Sequence, residues 1–379
     1  MRQDSLAAED PLVDLFLDLA RIPSPTGHER SVVDFLTTRL RGLGLEVEEG
    51  EALYPESGSS AGNLYCRLAG SVPGIPIMLS AHSDTVPYED EALPDPVFED
   101  GVLRSRSRSV LGADDKAALA AIVYALEQVI HNSLPQAGIE LLLTVGEEGG
   151  LRGAKISNVE SMAAECGFCL DSTGPVGGVI VRSPWQKTVS AEFIGKSAHA
   201  GVVPEEGRNA VAAAARAVAA MKLGRLDDET TANIGVIKGG EAANVVPDRC
   251  AILGEARSHN QDKLEKQVSA MIEAINLAAA GEEVDVELKV VDEFHGFDFS
   301  QGGLPIDLAE RAFKRAGIET RRTSTGGGSD VNVFNLMGLD CVNLATGMEK
   351  VHTPDEYISA ESLHQMNAFI LALVEVARA

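Results

Sequence analysis

Short apolar runs alternate along this chain with longer segments of helical periodicity. The runs IPIMLSAH (75–82) and GIELLLTVGEE (138–148) are almost continuously apolar until they reach polar residues. Runs of this kind are typical of strands that are buried on both faces of a sheet. Between them lies the helical segment DKAALAAIVYALEQVIH (115–131). The alternation predicts an α/β fold in which a mixed sheet is flanked by helices.

The pattern changes in the middle of the chain. The segments QKTVSAEFIGK (186–196) and EVDVELKVV (283–291) alternate apolar and polar residues, which indicates a sheet with one exposed face. We therefore expect two domains. A discontinuous α/β domain would comprise residues 1–182 and 296–379, and an inserted α+β domain would comprise residues 183–295.

The charge balance excludes several classes of partner. The chain of 379 residues has 57 acidic and 32 Lys or Arg residues, a formal net charge of −25. A field of that sign repels nucleic acid and anionic lipid surfaces.

Five cysteines, an odd number, favour reduced thiols, and neither a secretory signal nor an apolar run of about 20 residues is present. We expect a cytoplasmic, soluble protein with no nucleic-acid or membrane partner.

Polar residues that can carry chemistry follow the apolar runs of the α/β pattern. Each has an ordinary explanation when taken alone: a His-x-Asp triplet on a solvated loop, an acidic helix N-cap or a surface histidine. Together they are more informative, because the carboxyl ends of the strands form the ligand crevice of an open α/β sheet. The residues are His82, Asp84, Asp114, Glu147, Glu148, Asp171 and His352.

Imidazole and carboxylate groups without a thiolate suit zinc, cobalt or manganese. The supply is enough for two metal ions if one carboxylate bridges them. Glu147 and Glu148 are neighbours at the end of a strand, where successive side chains point to opposite faces. We expect one glutamate to face a metal and the other to face the reacting water.

The chain resembles the co-catalytic zinc peptidases that include aminoacylase and glutamate carboxypeptidase, and within them the peptidase T-like branch. The resemblance extends in order over nearly the whole chain. The strings that carry it are AHSDTVP, LGADDKAA, TVGEEGG, CLDSTGPVG, GKSAHAGVVPEEGRNA, GGEAANVVPD, GEARSHN, TGGGSDVN and MEKVHTPDEYI.

The resemblance implies two zinc ions and a role for each site residue. His82 and Asp171 would hold one zinc, Glu148 and His352 the other, and Asp114 would bridge them through a carboxylate preceding a cis peptide bond. Asp84 would support His82, and Glu147 would act as the general base.

The resemblance also implies roles for the inserted domain, as a lid through which many members of the family dimerise. His199 would stabilise the oxyanion, although a histidine satisfied within the lid fold is the alternative. Asn244 and Arg257 match positions that bind the substrate backbone or a carboxylate, although a solvated arginine is the more ordinary reading. The glycine-rich TGGGSD segment around Gly327 suggests close backbone approach to a peptide.

The subtype follows from one ligand. In the family, an aspartate at the position of Asp171 accompanies aminopeptidases and dipeptidases, which favours an aminopeptidase that acts on short peptides such as tripeptides. The chain has HAG at His199 where peptidase T has His-Pro, a departure at a position that bears on the tripeptide preference. An N-acyl amino acid deacylase or a carboxypeptidase is the alternative. A non-catalytic metal-dependent scaffold is disfavoured because every catalytic position is filled.

Overall fold

The computed structural model describes residues 10–54, 58, 60–88 and 93–378. The chain divides into two compact units. The first unit comprises Met1–Val181, Asp298–Ser324 and Ser329–Ala379, and the second comprises Arg182–Phe297 and Thr325–Gly328. Within the described residues, no helix combines the length and the apolar character needed to cross a membrane.

The helices and strands are numbered in chain order. The helices are α1 (Pro11–Ala20), α2 (Arg30–Gly42), α3 (Ala113–His131), α4 (Arg152–Lys155), α5 (Ala210–Ala220), α6 (Gln261–Gly281), α7 (Leu304–Ala316), α8 (Asp330–Leu336) and α9 (Ala360–Val376). The strands are β1 (Glu46–Glu49), β2 (Leu64–Leu68), β3 (Ile77–His82), β4 (Pro96–Glu99), β5 (Val102–Ser105), β6 (Ile139–Thr144), β7 (Cys166–Ser172), β8 (Gly178–Ser183), β9 (Trp185–Ile194), β10 (Ala198–His199), β11 (Gly224–Arg225), β12 (Thr230–Gly239), β13 (Val245–Val246), β14 (Arg249–Ser258), β15 (Asp285–Phe294), β16 (Phe297–Asp298), β17 (Arg321–Ser324), β18 (Cys341–Ala345) and β19 (Tyr357–Ser359).

The largest sheet has the order β1-β2-β6-β3-β7-β18-β8-β16, with β17 paired to β8. Its central strands β6, β3, β7 and β18 are parallel, whereas β2 joins β6 and β8 joins β18 in antiparallel pairs. Every residue of β3, β6 and β18 is buried. This explains why these strands read as continuous apolar runs instead of alternating ones.

Helices flank this sheet. The alanine-rich helix α3 packs on β3 and β7 and against α1 and α9, and α7 packs on β7 and α9. The rings of Phe313 in α7 and Phe369 in α9 are stacked with their centroids 4.1 Å apart. The predicted α/β architecture, a mixed sheet flanked by helices, is confirmed.

The second unit contains an antiparallel sheet of order β11-β12-β14-β9-β15. The helices α5 and α6 pack against it, and its core includes Val189, Phe193 and Ile275. Along β14 buried and exposed residues alternate. This burial on a single side accounts for the alternating sequence pattern of this part of the chain.

Candidate metal centre

The four central parallel strands end at the same edge of the large sheet. His82 is the last residue of β3, and Asp171 is the penultimate residue of β7. Glu147 and Glu148 follow β6, and His352 follows β18. Because parallel strands place their carboxyl ends together, residues separated by up to 270 positions in sequence converge there.

Asp114 lies between two histidines. Its Oδ1 is 3.0 Å from Nε2 of His82, and its Oδ2 is 3.1 Å from Nε2 of His352. Asp114 is buried, whereas the side chain of His352 is 48% exposed, so the cluster reaches solvent on the side of His352. One carboxylate thus presents a separate oxygen to each imidazole.

A further carboxylate accompanies each histidine. Oδ1 of Asp171 is 3.8 Å from Nε2 of His82, and Oε1 of Glu148 is 2.9 Å from Nε2 of His352. The ligand atoms of His82, Asp114 and Glu148 lie within 4.8 Å of one another. Each side of Asp114 therefore offers one imidazole nitrogen and one additional carboxylate oxygen.

Asp115 forms part of the same cluster. With His82 and Asp171 it makes a second group whose ligand atoms lie within 4.8 Å of one another. Its Oδ2 accepts the backbone N–H of His82 at 3.2 Å, and its buried Oδ1 has no hydrogen-bond partner among the residues that the structure describes. The peptide bond between Asp114 and Asp115 is cis, as the resemblance implied.

Asp84 supports the cluster from behind. Nδ1 of His82 is 3.0 Å from the carbonyl oxygen of Asp84, and donation of an N–H to that oxygen leaves the lone pair of Nε2 directed at the cluster. The carboxylate of Asp84 accepts the backbone N–H groups of Glu147 at 2.9 Å and Glu148 at 3.2 Å. It also accepts the hydroxyl of Thr26 at 2.7 Å. One buried residue therefore holds the histidine through its carbonyl oxygen and the glutamate turn through its carboxylate.

Residues 78–376 match the sequence model of peptidase family M20/M25/M40, and they include every residue of this cluster. This chain belongs to that family. It is 39% identical to the structure of aminopeptidase PepT from Bacillus cereus, with 97% of this chain and 98% of that chain covered and a TM-score of 0.89. It is 35% identical to a tripeptidase structure from Staphylococcus aureus over 97% and 98% of the two chains, with a TM-score of 0.91. It is also 26% identical to Peptidase T of Salmonella arizonae, over 73% of this chain and 68% of the relative.

In this member of the M20/M25/M40 family, the cluster concentrates negative charge in a buried place. Burial raises the pKa of Glu147 and of Asp171 well above the usual range, and each also has carboxylate neighbours that act in the same direction. Burial alone would raise the pKa of Asp114, but the hydrogen bonds with His352 and His82 hold it well below the usual range. Hydrogen bonds with Asp114 and Glu148 raise the pKa of His352 to about 10.

The residues fit divalent metal ions. Four carboxylates (Asp114, Asp115, Glu148 and Asp171) crowd around two imidazoles, and such a set of oxygen and nitrogen donors without a thiolate suits zinc and similar ions. Cations of charge +2 would offset the mutual repulsion of these carboxylates. They would also provide a partner for Oδ1 of Asp115.

Two of the residues predicted in the inserted segment lie side by side within the second unit. Strand β10 pairs with β13, so His199 is opposite Val245, and the N–H of Ala200 donates to the carbonyl oxygen of Asn244 at 3.0 Å. His199 is exposed. The N–H of Gly201 donates to Nδ1 of His199 at 3.2 Å, which leaves Nε2 of the neutral ring as the atom that carries a proton.

Arg257 and the glycine-rich segment also meet within the second unit. Nη1 of Arg257 donates to the carbonyl oxygen of Gly326 at 2.9 Å, and the hydroxyl of Ser183 donates to the carbonyl oxygen of Gly327 at 2.9 Å. Nε and Nη2 of Arg257 donate to the two oxygens of Glu255, each at 2.9 Å. One N–H on each Nη remains for another acceptor.

Sequence reasoning missed two buried carboxylates beside the metal centre. Asp330 accepts the hydroxyl of Thr144 at 2.5 Å, and its burial raises its pKa to about 6. Glu356 accepts two backbone N–H groups near Asp114, and its burial raises its pKa to about 7. Both residues lie in strings that carry the resemblance, TGGGSDVN and MEKVHTPDEYI. Their position in these strings was the sequence signal that could have identified them.

Proposed function

We propose that this chain is a di-zinc aminopeptidase that hydrolyses short peptides, with tripeptides as the preferred length. The observation that carries the proposal is Asp114, whose two oxygens face two different histidines at 3.0 and 3.1 Å. A carboxylate in this arrangement suits a bridge between two ions. The 39% and 35% identity to a PepT aminopeptidase structure and a tripeptidase structure supports the substrate class.

In this proposal His82 and Asp171 hold one ion, Glu148 and His352 hold the other, and Asp114 is shared. Zinc is the proposed ion, and cobalt or manganese would serve the same ligands. Bound ions of this kind acidify water and polarise a carbonyl group.

Glu147 is the proposed general base. It takes a proton from the water that attacks the peptide carbonyl, and it later delivers that proton to the amine that leaves. The bond from the Glu147 N–H to Asp84 fixes the start of the side chain that makes the transfer.

His199 is the proposed donor to the oxyanion of the tetrahedral intermediate. Donation requires a proton on the nitrogen that faces the oxyanion. The bond from Gly201 to Nδ1 supports this role, because it assigns the proton of the neutral imidazole to Nε2. His199 acts either in its own chain or in that of a dimer partner.

Asn244, Arg257 and Gly327 are proposed to bind the substrate. Asn244 lies beside His199, and Arg257 supports the glycine segment while keeping two N–H groups for a substrate carboxylate or carbonyl. The second unit is in this proposal a lid that also mediates a homodimer. Support comes from the exposed apolar side chains of Val236, Ile237 and Leu253 on its sheet. A cytoplasmic location is supported by five cysteines, all unpaired and buried.

A substrate panel tests the activity. The purified chain with added zinc is incubated with tri-Ala, di-Ala, C-terminally amidated tri-Ala and N-acetyl amino acids, and the products are identified by mass. We expect Ala and di-Ala from tri-Ala, and Ala with di-Ala amide from the amidated peptide, which identifies the N-terminal residue as the one released. Hydrolysis confined to N-acetyl amino acids would favour the deacylase, and cleavage of tri-Ala without cleavage of the amidated peptide would favour the carboxypeptidase. Glu147→Gln is the matched control, since any turnover that survives it comes from a contaminant.

A further inference from the structure

Glu356 reaches from the C-terminal part of the chain to the backbone beside Asp114. Its side chain is 1% exposed. Oε2 accepts the N–H of Gly112 at 2.7 Å, and Oε1 accepts the N–H of Asp114 at 3.0 Å. Both oxygens of the buried carboxylate therefore accept backbone N–H groups, which belong to the two residues that flank Ala113.

The local structure explains why these two N–H groups need a distant acceptor. Helix α3 begins at Ala113, and its N-cap is Gly112, which has no side chain to accept from the first turn. Gly112 has φ +77°, and Asp114 has non-helical angles of φ −82° and ψ 101°. Unpaired N–H groups at a helix N-terminus favour a carboxylate both by hydrogen bonding and by charge. Glu356 provides the acceptor that the local sequence lacks.

The same short turn carries Glu356 and His352. The N–H of Glu356 donates to the carbonyl oxygen of Thr353 at 3.1 Å, which closes the turn directly after His352. Paired backbone bonds between Glu349 and Tyr357, at 3.0 and 3.1 Å, close the base of the loop. This loop therefore contacts Asp114 at two points: His352 meets its Oδ2, and Glu356 meets its backbone N–H.

We propose that Glu356 is a positioning residue, which holds the Asp114 carboxylate in register with His352 so that both can bind the same metal ion. The inference rests on the proposed di-metal function. It differs from a role in helix stability alone, because a simple cap would affect folding and leave the metal ions unaffected. Partners of metal ligands that fix ligand orientation typically contribute about 10- to 100-fold to metal affinity.

The experiment is a cobalt titration of the metal-free protein at pH 8, followed by visible absorption. Glu356→Gln retains the shape of the side chain, but its NH2 group faces one of the two N–H donors. We expect at least one cobalt ion to bind about 10- to 100-fold more weakly, and the spectrum at saturation to change. Glu356→Asp keeps the charge on a shorter side chain and should bind cobalt with intermediate affinity.

Two controls separate positioning from folding. Glu349→Gln makes the same chemical change on an exposed residue of the same loop and should leave the titration unchanged. Ser359→Ala removes the N-cap of α9, where Ser359 accepts the N–H of Ser362 at 3.0 Å. It should lower the melting temperature and leave cobalt affinity and the spectrum as in the wild type.

The outcomes are distinct. Wild-type affinity and spectrum in Glu356→Gln would overturn the inference, as would an equal loss of affinity in Ser359→Ala. If Glu356→Gln does not fold, Glu356→Asp decides: weaker binding supports positioning, and wild-type binding overturns it. A wild-type chain that binds fewer than two cobalt ions would instead overturn the proposed di-metal function.

Discussion

The backbone N–H of Glu147 donates to Oδ1 of Asp84 at 2.9 Å. The other oxygen of the same carboxylate accepts the N–H of Glu148 at 3.2 Å. Two consecutive glutamates are thus fixed by one residue that also contacts His82. This common support fixes the backbone of the proposed base and of the proposed ligand, which are adjacent in sequence.

Substitution of each glutamate by glutamine should separate those two roles. Glu147→Gln should retain two metal ions per chain and lose nearly all turnover, because the amide cannot accept the proton of the attacking water. Glu148→Gln should lose metal occupancy, because the amide is a weaker ligand than the carboxylate. Metal content is measured by elemental analysis and turnover with a tripeptide. A metal-depleted Glu147→Gln together with a fully loaded Glu148→Gln would reverse the assignment.

The His199→Ala variant should lower kcat by about 10²-fold or more, with little change in KM or in metal content. The physical reason is that an oxyanion donor acts mainly in the transition state. Steady-state kinetics with tri-Ala and metal analysis test this. Turnover at the wild-type rate would leave His199 as a structural residue of the second unit.

Mixing inactive variants tests whether His199 acts across a dimer. Chains that carry His199→Ala are combined with chains that carry Glu147→Gln, after dissociation and reassociation. If the histidine serves the partner's site, mixed dimers contain one site with both groups intact and should recover part of the activity. If each chain uses its own histidine, no site is complete and the mixture stays inactive.

Asp115 and Asp171 should respond differently to substitution by asparagine. Asp171→Asn should lose one metal ion, because it removes a charged ligand from the side of His82. Asp115→Asn should keep both ions with reduced affinity, because an amide oxygen can still accept the N–H of His82. Cobalt titration measures both. Loss of one complete site in Asp115→Asn and full occupancy in Asp171→Asn would make Asp115 the ligand.

Glu29 should make folding stability depend on pH. It is fully buried, its Oε1 accepts the N–H of Gly27 at 2.8 Å, and burial raises its pKa from 4.5 to about 7. A pKa that is higher in the folded state means that the contribution of Glu29 to stability is present below pH 4.5 and is lost as the pH rises through about 7.

The Glu29→Gln variant cannot ionise and should escape that loss. Between pH 5 and 8 the wild type should therefore lose on the order of 3 kcal/mol of unfolding free energy relative to the variant. Urea unfolding of both metal-free proteins across this range gives the difference. Glu48→Gln makes the same chemical change on an exposed residue and is the control. A constant difference for Glu29→Gln would contradict the prediction.

The site residues that could be predicted from sequence are those that end an apolar run. His82 and Asp171 end apolar runs, and the fold brings the ends of such runs together, so their convergence could be predicted. Asp114 and Asp115 read equally well as an ordinary helix N-cap, yet Asp114 has non-helical angles. There the proposed metal-binding role came from the resemblance to known peptidases and not from the local pattern.

The supporting contacts could not be predicted, because they join residues that are distant in sequence and belong to no periodic pattern. The bond from Thr144 to Asp330 spans 186 positions, and the bond from Asp114 to Glu356 spans 242. A side chain that accepts a distant hydroxyl or backbone N–H leaves no trace in hydrophobic periodicity. Such contacts follow from the tertiary structure alone.

The strand order also bears on how the protein is made. Strand β18 (Cys341–Ala345) lies between β7 and β8, which are consecutive in the chain and are synthesised long before it. On the ribosome, β7 and β8 therefore emerge before the strand that pairs with both of them has been made. His352 follows still later. A nascent chain that stops short of it carries the proposed base but lacks a proposed metal ligand, so the proposed site is complete only after most of the chain has been synthesised.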